Sequence, residues 1–97
     1  MNTSSIIWDF SPDITPGDQE NAKTCCKKID QAAPSDANIL GYLRRMEDGE
    51  FLFGILITSS QGSFGARELS PALSFALKKV VQQIEDQLEE WHMRRYE

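Results

Sequence analysis

The sequence predicts an α+β fold: a two-layer sandwich in the order β-α-β-β-β-α, a four-stranded sheet with both helices on one face. Three observations carry this. Residues 51–58 are apolar at both alternating sets of positions, as in a central strand. Leu73, Leu77, Val80, Ile84, Leu88 and Trp91 step by four or three, and neither Gly nor Pro occurs after position 71, so a long amphipathic helix closes the chain. A shorter apolar helical face separates the first two strand-like segments. Strands joined through a helix are parallel with a right-handed crossover. Two helices with one apolar stripe each must bury those stripes on the same sheet face.

The first strand is expected at 5–10, where Ile6, Trp8 and Phe10 alternate with Ile7 and Asp9. Ser11 to Gly17 then punctuates the chain. Thr15 is a helix cap, Pro16 suits the first helical position, and Asp18 follows three residues after the cap. Ala22, Cys25, Cys26, Ile29 and Ala33 form one apolar face of a helix that Pro34 ends. A strand is expected at 39–46, a hairpin turn at Glu47-Asp48-Gly49, the central strand at 51–58, a turn at 59–62 and a last strand at 63–69. Ser70 caps the final helix and Pro71 opens it.

With 97 residues the chain has room for one core, and a single domain spanning 1–97 is expected. Ten Lys+Arg against fifteen Asp+Glu give a net charge of −5, so any nucleic-acid contact must use a local patch. No apolar run approaches the ~18 residues of a membrane span. No basic segment precedes the short apolar stretch near the N-terminus, as a secretory signal would require. A cytoplasmic location without membrane contact is the expectation.

Chemistry-bearing motifs are scarce. Gly62 and Gly65 do not precede a helix as in a phosphate loop. Cys25 and Cys26 are adjacent, with His92 as the sole histidine, which gives neither a disulfide framework nor a metal set. Structural thiols, no cofactor, no metal and no enzymatic activity are expected. Glu85, Asp86, Glu89 and Glu90 read as a solvated helix face. The basic residues are grouped: Lys23, Lys27 and Lys28 on the first helix, Lys78 and Lys79 on the last, then Arg94 and Arg95 beyond the acidic band. Ordinary solvation accounts for them; so does a shared phosphate-binding surface, with Trp91, His92 and Tyr96 near the end as stacking groups. For Trp91 a last core contact is the plainer role.

From Gly62 onward, "GSFGARELSPALSFALKKVVQQIEDQLEEW" resembles the ribosome hibernation-promoting factor family, also called ribosome-associated inhibitors or sigma-54 modulation proteins. The similarity rests on Phe64-Gly65-Ala66 at the end of the last strand, on Ala76-Leu77, and on Ile84-Glu85-Asp86-Gln87-Leu88. Ile14-Thr15 matches the start of the family's first helix. The resemblance implies a short form that binds the small ribosomal subunit RNA, blocks translation and acts in the stress response of stationary phase. It implies RNA contacts at Lys23, Lys27, Lys28, Lys78, Lys79, Arg94 and Arg95. Glu85 to Glu90 departs from the family's basic helices. A second function therefore stays open, that of a protein–protein interaction module, through a homodimer or another protein. Its surface would be the uncovered sheet face, with Tyr42, Leu52 and Leu56 exposed if Phe53, Ile55 and Ile57 point to the helices.

Overall fold

The computed structural model describes residues 6–94. Its elements are β1 (Ile6–Phe10), α1 (Pro16–Cys25), α2 (Lys27–Ala32), β2 (Asn38–Arg45), β3 (Phe51–Ser59), β4 (Gly62–Ser70) and α3 (Leu73–Arg94). The sheet order is β1-β2-β3-β4, with β1 parallel to β2 and the other two pairs antiparallel. This is the expected α+β architecture, with all four strands within two residues of the expected bounds.

Alternation assigns the faces. Phe51, Phe53, Ile55 and Ile57 are buried beneath the helices, alongside Ile39 and Leu43 of β2. From the helices, Ala22, Cys26, Ile29, Ala76, Leu77, Val80, Ile84 and Leu88 complete one core. On this face the Trp8 ring stacks on Phe10 at 5.3 Å and on Phe53 at 6.4 Å.

Two local expectations are corrected. The first helix is not continuous: it bends at Cys26, whose φ and ψ are −98° and 4° and whose N–H turns to the Lys23 carbonyl. Thr24, Cys25 and Cys26 are weak helix formers, and the bend keeps Ala22, Cys26 and Ile29 all against the sheet. It leaves Cys25 exposed, outside the apolar face in which its spacing had placed it. The second correction concerns the start of α3. Ser70 is the buried last residue of β4, and its hydroxyl accepts from the Ala72 N–H at 3.1 Å, so the helix starts two residues later than expected. The Thr15 cap is as expected, its Oγ1 accepting from the Asp18 N–H. Pro34 acts through Ala33, held extended at ψ 157°.

Candidate nucleic-acid interface

A groove of about 700 Å³ runs between α1–α2 and α3. Leu73, Leu77 and Val81 line its α3 side and Asn21, Thr24 and Cys25 its α1 side. Lys28 and Lys78 reach it from opposite walls, and Asp18 and Glu85 lie in it too. The bend at Cys26 directs Lys28 toward α3. Lys78 comes from the α3 flank next to the apolar stripe. Two ammonium groups facing one channel suit a phosphate backbone, and the two carboxylates reduce the attraction.

The other predicted basic residues are not gathered there. Lys23 lies on the flank of α1 toward β1, its Nζ 5.9 Å from the centre of the Phe10 ring. Lys27 and Lys79 are exposed outside the groove. Arg94 is held by Glu90 one turn back, and Arg95 lies outside the described residues. Trp91 packs edge-on against Phe64 of β4 at 6.2 Å, which is the last core contact, while Tyr96 is outside the described residues. His92 Nε2 sits 3.1 Å from the Ala32 carbonyl at the end of α2. Among the described residues no three His, Cys, Asp or Glu side chains come together as a metal site. Sequence reasoning missed Phe75, 53% exposed on the outward side of α3 and one turn before Lys79. Its signal was an aromatic at a position off the apolar stripe.

The opposite face of the sheet is open. Tyr42, Leu52 and Leu56 lie on it as expected, and Ile7, Leu40 and Leu69 join them. These three additions follow only from strand register. Asp9 and Arg44 form an ion pair on the same face.

The two thiols differ. Burial, and then the neighbouring Cys25, push the Cys26 thiol up to about 12, so it stays protonated in the core. Partial burial raises Cys25 as well.

The fold places the chain among α+β proteins with a four-stranded mixed sheet and helices on one side. No family model and no curated protein sequence matches it. Solved structures do. One is a ribosomal subunit interface protein from Coxiella burnetii, with a TM-score of 0.72 and 13% identity over 91% of this chain and 97% of that one. Another is the N-terminal domain of Protein Y from Thermus thermophilus, with a TM-score of 0.66 and 18% identity over 94% of this chain and 99% of that one. At the level of the fold, these neighbours bear out the resemblance read from residues 62–88.

Proposed function

We propose that this chain is a ribosome-associated protein that binds RNA of the small subunit with its helical face and thereby restrains translation. One observation carries this: nearly the whole chain superposes on a protein described as a ribosomal subunit interface protein. Lys28 and Lys78 take phosphates across the groove. Lys23, Lys27 and Lys79 add outlying contacts, with Arg94 and Arg95 beyond the acidic band. Phe75, beside Lys78 and Lys79, offers a ring for an unpaired base. A cytoplasmic location accompanies such a role.

Sedimentation with purified small subunits at low and near-physiological salt tests the proposal. The protein is expected to co-sediment at low salt and to detach as salt rises, because ammonium–phosphate contacts release counterions. A Lys28→Glu/Lys78→Glu variant should bind about tenfold more weakly or worse. Failure of the wild type to co-sediment at low salt, or equal binding by the variant, refutes it.

A further inference from the structure

We propose that the open face of the sheet is the interface of a homodimer, in which a second copy of this chain packs about a twofold axis parallel to the strands and between β2 and β3. The face is uncovered within the chain and presents aliphatic side chains beside Asp9, Arg44 and Arg67: Ile7 is 68% exposed, Leu40 38%, Leu56 45% and Leu69 49%. Exposed aliphatic side chains grouped on one open face are a mark of an interaction site.

The layout of the face selects the occupant. Strand register sets three rows across it: Ile7–Leu40–Leu56–Gly65, Asp9–Tyr42–Gly54–Arg67, and Arg44–Leu52–Leu69. The proposed axis keeps each row in place and exchanges β1 with β4 and β2 with β3. In the first two rows each side chain then meets a complement, while in the third Arg44 faces Leu52 of the second copy. Ile7 faces Gly65 of the second copy, beside Leu56, whose Cδ1 lies 3.4 Å from where a Cβ on Gly65 would stand. Leu40 faces Leu56. Asp9 faces Arg67, so two ion pairs form, one at each side of the interface. Within its own chain Asp9 binds Arg44 through Oδ2, which leaves Oδ1 for the incoming guanidinium. The Tyr42 rings lie across their own Gly54 and meet near the axis. An isologous contact requires this self-complementarity of shape and charge. Sheets packed face to face stay aligned within about 30°, which keeps the rows in register near the axis.

Four strands about 4.8 Å apart and five residues at about 3.3 Å each bound the patch. Two such patches cover about 600 Å² together, below the range of stable specific interfaces, so the dimer should be weak, transient and concentration-dependent. The interface lies on the face opposite the helices, so it stands or falls apart from ribosome association.

Sedimentation velocity over a concentration series reads the state directly. The wild type should pass from monomer to dimer below about 1 mM. Arg67→Asp and Asp9→Arg, both at exposed positions, should each raise the dissociation constant about tenfold, because each sets like charges against one another twice. An equimolar mixture of the two variants should regain dimers, since every contact in the mixed pair is again of opposite sign. Circular dichroism of each variant establishes that it is folded. A wild type that stays monomeric overturns the proposal, as does an undiminished dimer in either folded variant. So does a mixture that fails to recover, which would place the contact on another surface or with another protein.

Discussion

Gly41 and Gly54 show how one residue type serves opposite faces of a sheet. A Cβ on Gly41 would lie 2.5 Å from Cζ3 of Trp8. That indole is half-buried and stacked on Phe10 and Phe53, so moving it breaks both ring contacts. Gly41→Ala should therefore cost about 1–3 kcal/mol, read from urea unfolding. A Cβ on Gly54 would lie 2.2 Å from Cζ of Tyr42, but that ring sits on the open face and can swing outward. Gly54→Ala should cost less than about 1 kcal/mol. Equal losses would show that Trp8 is not confined as described. The cysteines give a second residue-scale prediction. A thiol reagent at mildly alkaline pH should modify Cys25 in the folded protein and Cys26 only after denaturation. The Cys26 pKa is raised on folding, so stability is undiminished below the ordinary value of 9.0 and declines as pH rises toward about 12. Two fast-reacting thiols in the native protein would contradict this. Both glycines were visible in the sequence, but the ring above each was not, because a ring's position depends on register between strands.

Elements are held at their ends and edges by single side chains. Gln87 of α3 donates to the Gly65 carbonyl at 2.9 Å and accepts from the Gly65 N–H at 3.1 Å, filling a place on the outer edge of β4 that another strand would take. Asp36, in the loop before β2, accepts from the Ser60 hydroxyl and from the Ser60 N–H at 3.0 Å, tying that loop to the β3–β4 turn. The Ser60 hydroxyl first, and then its N–H, hold the Asp36 carboxyl below its ordinary value of 3.8. A depressed carboxylate pKa stabilises the fold above the unfolded pKa, and that contribution disappears as pH falls through the folded one. NMR titration should find the Asp36 midpoint below 3.8, and Ser60→Ala should bring it back toward that value. A midpoint unmoved by Ser60→Ala would contradict the contact. The long final helix and the Asp-Gly hairpin were legible in sequence because their signals lie within a few residues. The bend at Cys26 was not, since it answers to three buried positions meeting a sheet assembled from elsewhere in the chain.

Over the whole molecule, charge is banded. Lys28 and Lys78 share the inter-helix groove, Glu85 borders it, and Glu89 and Glu90 follow along α3. The salt dependence of ribosome binding should report this arrangement. Two phosphate contacts on single-stranded RNA give a slope of log K against log salt near −1.4, and five give about −3.5. A slope near the smaller value would mark Lys28 and Lys78 as the working pair, and one near the larger would bring in Lys23, Lys27 and Lys79. By itself the sequence determined the element order, the strand directions and the apolar stripe of the last helix, because a period of two or of 3.6 and the turn residues act locally. It also named all five lysines. The tertiary structure decided which of them meet. Lys28 and Lys78 are fifty positions apart, and only the bend at Cys26 and the packing of α3 beside α1 bring them to one groove. It likewise decided that Ile7, Leu40 and Leu56 form one row with Gly65 at its end, since register couples four strands whose periodicity says which face a residue takes but not which neighbour it has.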